Sequence, residues 1–322
     1  MIANSGEYRK KNGQRGCVMM NNFIFENKSK VYFGKGGVKE YLGGLLANFG
    51  ETVMLAYGGG SIKRNGVYDE VVSILNAAGK CVVEFSGIMS NPTYAKVQDG
   101  AKLSRENHVD LILAVGGGSV SDCCKVISGA FDTLSHAMET YFGKPDENNL
   151  SDDINEAVMR SVIRNIRILL TDPENYDARS ELAQASAMAE NGVLKIGKVT
   201  DFQAHQIEHQ LGAYTNCNHG AGLAVIHPVL YRHIYKSGTA RFTRWAQNVW
   251  GIAPKGSDGE TAAGIDALAA FIKEIGLPTS FAELGIPADT DFRAVADSTN
   301  ITAGCCKKLT RDEICEILQE CL

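Results

Sequence analysis

Short apolar runs alternate with amphipathic stretches over the first part of the chain, and long helical periodicities fill the rest. TVMLAY (residues 52–57), CVVEF (81–85) and VDLILAV (109–115) predict strands. Residues 37–48, 67–78 and 93–107 carry apolar positions three and four apart and predict helices between them. This alternation predicts a parallel sheet covered on both faces, with VDLILAV as a buried strand. Ahead of it, NNFIFENKSKVYFGKG reads as two short strands ending in a glycine turn. Residues 1–20 are polar and basic, lack periodicity and predict a disordered extension.

After Ala130 the strand signals stop. Helical patterns run over residues 131–142, 152–170, 176–192, 199–213, 222–235, 241–249, 261–275 and 311–318, with Gly276, Pro278 and Pro287 as stops. The acidic stretch 148–153 reads as a solvated helix start. The expected fold class is therefore α/β followed by all-α. A Rossmann-like nucleotide domain (21–130), lacking the G-x-G-x-x-G fingerprint, precedes a helical domain (131–322).

Composition narrows the function classes. At 322 residues with 44% hydrophobic content the chain can bury two ordinary cores. A net charge of −5 leaves no basic footprint for nucleic acid. No apolar run approaches 18 residues, so a membrane partner is not expected and a cytoplasmic protein is. The nine cysteines form no C-x-x-C pair, which argues for free thiols rather than a disulfide framework or a zinc ribbon.

Two kinds of motif carry chemistry. Gly58-Gly59-Gly60-Ser61 and Gly116-Gly117-Gly118-Ser119 each follow an apolar strand, where bare backbone N–H groups can approach a pyrophosphate. Five of the seven histidines lie in DFQAHQIEHQLGAYTNCNHGAGLAVIHPVLYRH, residues 201–233. His205 and His209 are four apart and share a helix face, as do Asp132 and His136 in FDTLSHAMETYF. One helix is expected to end at Gly212 and the next to start near Gly220, leaving His219 in a loop. One aspartate with three histidines is a donor set that suits Fe(II) or Zn(II).

The frames DFQAHQIEHQLGAYTNCNHGAGLAVIHP and FDTLSHAMETYF resemble the iron-containing (group III) alcohol dehydrogenases, in particular their butanol dehydrogenase-like, NADPH-using branch. The resemblance implies a dehydroquinate synthase-like architecture and a small alcohol or aldehyde as substrate. It also implies a homodimer, with Asp132, His136, His205 and His219 as metal ligands. His209 then matches a histidine that faces the nicotinamide and relays a proton, while His227 and His233 match no role and are expected to be structural. Asn91, Gly117, Gly118, Ser119 and Asp122 match cofactor contacts, although Asp122 is equally suited to bracing the helix behind it. Gly58, Gly59, Gly60 and Ser61 match the turn at the adenosine ribose. No acid stands in that turn, and Lys63 and Arg64 are close by, so NADP(H) is expected over NAD(H).

The resemblance breaks between Ala130 and Phe131. The family carries several tens of residues there, including a Thr-Gly-Ser-Glu motif that this chain lacks. Helix–helix connections usually need about 2–8 residues. The join therefore predicts that two helices fuse or that the first unravels, either of which is expected to displace Asp132 from His205 and His219. Two alternatives stay open: an inactive deletion variant that retains metal binding, and a metal-dependent lyase of the dehydroquinate synthase kind.

Overall fold

The computed structural model describes residues 23–27, 30–88, 94–116, 123–144, 148–253, 258–301 and 306–322. The expectations for residues 1–20, Asn91, Gly117, Gly118, Ser119 and Asp122 fall outside them. Two compact units are present, one of residues 28–126 and one of 1–27 with 127–322. The division falls between Val126 and Ile127, four residues before the join at Ala130.

In the smaller unit, α1 (Gly37–Leu46), β1 (Thr52–Tyr57), α2 (Ser61–Arg64), α3 (Val67–Ala77), β2 (Cys81–Phe85), α4 (Tyr94–Glu106) and β3 (Leu111–Val115) follow in order. The strands are parallel in the order β2-β1-β3, because each return passes through a helix. Every residue of β1 beyond Thr52 is buried, which suits its central place. Val53, Leu55 and Tyr57 point to one face and close a core with Leu46, Ile62, Val71 and Leu75. The second face is covered only in part. Phe85 on β2 meets α4 at Gly100, where a Cβ would stand 3.0 Å from the ring. Ile112 on β3 remains 60% exposed. Among the described residues, VDLILAV is therefore a half-covered edge strand rather than a buried one, and the sheet is not covered on both faces. The strands expected before α1 are also absent from the described residues: Phe23, Ile24, Phe25, Val31, Tyr32 and Phe33 are exposed and join no strand ladder. Apolar alternation makes a strand only where a sheet edge accepts its hydrogen bonds.

The larger unit is helical. The helix α5 (Cys123–Tyr141) enters it and is followed by α6 (Leu150–Thr171), α7 (Tyr176–Glu190), α8 (Gln203–Thr215), α9 (His219–Ile234), α10 (Thr239–Trp250), α11 (Asp258–Glu274), α12 (Phe292–Ser298) and α13 (Arg311–Glu320). Phe142, Tyr231, Phe242 and Trp245 form its aromatic core, with Phe142 stacked on Phe242 at 4.1 Å. The start of α6 is not solvated as expected. Asn149 and Asp152 form a reciprocal capping box, and Asp152 is fully buried against Lys198 and Arg241, the latter at 2.8 Å. None of the described helices is long and apolar enough to cross a membrane.

Candidate metal centre

The helix α5 runs unbroken through the Ala130–Phe131 join. Asp132 and His136 lie one turn apart on it and face the same way. On α8, His205 is buried and projects toward them. This helix continues to Thr215 and ends at Asn216 in the left-handed conformation, φ 55°. Asn218 then caps α9 by accepting from the Ala221 N–H at 3.0 Å. His219 is thus the first residue of α9 and not a loop residue. The rings come close because the helices do: a Cβ on Gly220 would stand 2.2 Å from the Ser128 carbonyl oxygen of α5.

Asp132, His205 and His219 offer donor atoms within 4.8 Å of one another, and His136 adds a nitrogen on the Asp132 and His205 side. Asp132 Oδ1 lies 3.3 Å from His205 Nε2, 3.4 Å from His219 Nε2 and 3.7 Å from His136 Nε2. His136 Nε2 and His205 Nε2 are 3.1 Å apart. Donors about 2.1 Å from a shared tetrahedral ion stand about 3.4 Å from one another, so these separations match one divalent ion. Asp132 Oδ1 is buried without an aligned hydrogen bond, an arrangement that a bound cation would satisfy. Fusion of the two helices therefore does not displace Asp132. A continuous helix needs no connecting loop, and the i, i+4 pair survives intact.

Carboxylates hold two of the rings from behind. Glu139 accepts from His205 Nδ1, and Glu208 accepts from His219 Nδ1. Each Nδ1–H is thereby fixed, and each Nε2 is left to face Asp132. Glu139 is buried and is itself held by the Ala204 backbone N–H at 2.6 Å. Ser135 Oγ links His227 Nε2, at 2.5 Å, to the same cluster, so His227 supports it from the core. His233 instead pairs with Glu320 at 3.2 Å, away from the cluster. His209 is exposed, with its ring 5.2 Å from that of His219 and stacked on it. Phe202 enters α8 with φ 52°, a conformation that costs a non-glycine residue roughly 1–2 kcal/mol. That turn sets its ring 5.2 Å from His136 and 5.0 Å from His205 as an apolar wall.

Electrostatics follow from this packing. Burial works against a charge on His205, but Glu139 and Asp132 outweigh it and push the imidazole up to about 9. Burial of His219 is likewise outweighed by Asp132 and Glu208, to about 10. Burial, reinforced by His205, pulls His136 down to about 4, and burial pulls His227 down to about 4. Burial also opposes the charge on Asp132, yet its contacts with His205 and His219 hold it well below the usual carboxylate range.

The metal-free protein should therefore be most stable near pH 6.5. Above it, the stabilisation from charged His205 and His219 is lost as pH rises through about 9 and 10. Below it, neutral His136 and His227 resist protonation until about 4 and lose their contribution. Thermal unfolding in chelator across pH 4 to 10 measures this. A Tm unchanged between pH 6.5 and 10 would contradict the assignment of His205 and His219.

Residues 126–322 match the C-terminal model of the Fe-containing alcohol dehydrogenase family, and residues 28–157 match the iron-containing alcohol dehydrogenase model. A probable NADH-dependent butanol dehydrogenase 1 of Bacillus subtilis is 30% identical over 94% of this chain and 100% of its own length. That alignment spans 389 positions against the chain's 322 residues, so part of the relative has no counterpart here. The NADPH-dependent aldehyde reductase YqhD of Escherichia coli is 26% identical over 83% of this chain and 90% of its own. The crystal structure of an NADH-dependent butanol dehydrogenase A from Thermotoga maritima superposes with a TM-score of 0.86 at 27% identity. It covers 94% of this chain and 99% of that one.

Proposed function

The chain belongs to the iron-containing alcohol dehydrogenase family, and we propose that it interconverts small primary alcohols and their aldehydes, butanol and butanal among them, with NADP(H) preferred over NAD(H). It is an oxidoreductase. The observation that carries the finer reading is the convergence of Asp132 Oδ1 with the Nε2 atoms of His136, His205 and His219, which would hold Fe(II) or Zn(II). When bound, the ion supplies a Lewis acid for the substrate oxygen and the nicotinamide supplies or accepts the hydride.

The chain's own residues do the rest. Glu139 and Glu208 keep the Nε2 lone pairs of His205 and His219 aimed at the ion. Phe202 excludes water from one side of the rings. Burial, then His219 and His205, lower the pKa of His209, so its ring is neutral at neutral pH and suited to take the alcohol proton. The positions of the relatives that lack a counterpart belong, in this reading, at the Ala130–Phe131 join. The protein is cytoplasmic and acts as a homodimer. Butanal reduction with NADPH tests the activity: chelation should abolish it and Fe(II) restore it, and turnover indifferent to chelation would overturn the reading.

Cofactor preference rests on the turn after β1. Gly60 takes φ 95°, and Lys63 and Arg64 follow on α2. Glu84, near the end of β2 and paired with Leu55, supplies a carboxylate that the turn itself lacks. It is occupied by Tyr57 Oη at 2.5 Å, by Tyr68 Oη and by Lys63 Nζ at 3.5 Å, which reduces its repulsion of a 2′-phosphate. A charge-assisted phosphate contact is worth roughly 1.5–3 kcal/mol, so NADPH should bind about tenfold to over a hundredfold more tightly than NADH. Fluorescence titration checks this. Lys63→Ala should shrink the difference, and equal affinities in the unmodified chain would refute the preference.

A further inference from the structure

Three histidines meet at the centre, and each has a carboxylate besides Asp132, but not on the same atom. Glu139 and Glu208 take Nδ1, the far side of their rings. Glu190 takes His136 on Nε2, at 2.8 Å. That nitrogen is the one 3.1 Å from His205 Nε2 and 3.7 Å from Asp132 Oδ1. His136 Nδ1, where an orienting carboxylate belongs, is buried and has no hydrogen-bond partner. Glu190 therefore does not orient His136 from behind; it meets the same nitrogen that faces His205 Nε2 and Asp132 Oδ1.

Distance and exposure fit a ligand that comes and goes. Donors about 2.1 Å from a common ion and at right angles are about 3.0 Å apart, so an oxygen 2.8 Å from His136 Nε2 has a neighbouring ligand's spacing. Glu190 is the last residue of α7, before Gly192 with φ 88°, and its side chain is 55% exposed. A side chain anchored at a helix end and open to solvent can swing without disturbing the core. The buried Glu139 and Glu208 have no such freedom.

We propose that Glu190 is a fifth protein donor to the metal centre, a carboxylate that closes on the ion at rest and leaves when the substrate oxygen takes its place. The inference rests on the reading of Asp132, His136, His205 and His219 as ligands. A second carboxylate oxygen raises the donor set to five and moves its preference toward Fe(II), Mn(II) or Co(II) and away from four-coordinate zinc.

Cobalt substitution tests it. Protein freed of its metal and reloaded with Co(II) is compared with Glu190→Leu and Glu190→Gln by visible absorption, whose intensity rises as coordination falls from five to four. The unmodified protein should show the weaker band, and both variants a band roughly twofold or more stronger. All three should retain one cobalt per chain. Adding butanol should change the band of the unmodified protein by displacing the carboxylate. Identical spectra with full cobalt occupancy would make Glu190 a surface ion pair and overturn the proposal while leaving the centre standing. Failure of all three to take up cobalt would overturn the metal centre itself.

Discussion

Protein carrying His205→Ala or His219→Ala will be recovered almost free of metal, where the unmodified chain carries about one ion per chain. The expectation follows from the donor count. Each substitution removes one of four groups facing a single point and also strands the carboxylate behind it, Glu139 or Glu208. Loss of the carboxylate's support alone costs about 10–100-fold in metal affinity, and loss of the ligand costs more. His209→Ala is the informative control. Its ring lies beside His219 and outside the set facing Asp132, so metal should stay while turnover falls. Metal uptake by the unmodified chain at pH 7.5 should also release protons, because His205 and His219 start out charged. Elemental analysis and calorimetry in buffers of differing ionisation enthalpy read both results. Stoichiometric metal in a protein carrying both His205→Ala and His219→Ala would end the assignment.

Periodicity in the sequence was enough for the helices and strands that have a packed neighbour. TVMLAY and CVVEF form strands over the residues expected. The missed helix α12 spans seven residues, too short to show two turns of pattern. The exposed apolar residues Phe23, Ile24, Phe25, Val31, Tyr32 and Phe33 show the opposite limit, since alternation cannot reveal whether a sheet edge is available. At the metal centre the i, i+4 pairs were readable because a helix face is a local property. Glu139 and Glu208 each stand three residues after a histidine of the proposed ligand set, His136 and His205, a spacing visible in the sequence. Their pairing was not visible, because it crosses between elements: Glu139 of α5 serves His205 of α8, and Glu208 of α8 serves His219 of α9. The join at Ala130 was misread for a related reason. Fusion of the two helices was one of the expected outcomes and occurs, but in register it leaves Asp132 beside His205 and His219 instead of displacing it.

Two helical glycines, Gly220 on α9 and Gly129 on α5, should respond to alanine with opposite signs. Gly220→Ala places a Cβ 2.2 Å from the Ser128 carbonyl oxygen and 2.8 Å from its carbon, both backbone atoms that cannot rotate away. Relief requires α9 to withdraw from α5. His219 immediately precedes Gly220, and Asp132 follows Ser128 by one turn, so the withdrawal opens the centre itself. Overpacking of this kind costs about 1–3 kcal/mol, and a misplacement near 1 Å can cost about a hundredfold in rate. Gly129, next to Ser128 on α5, has nothing within 4 Å of a Cβ and is exposed. Gly129→Ala should therefore stabilise by roughly 0.5–1 kcal/mol through helix propensity alone. Calorimetry on metal-free protein should show the Tm falling by several degrees for Gly220→Ala and rising slightly for Gly129→Ala. On reloading, Gly220→Ala should bind metal more weakly than the unmodified chain, and Gly129→Ala should bind it equally. If Gly220→Ala melts and binds metal like the unmodified chain, the close approach of α9 to Ser128 is not what positions His219.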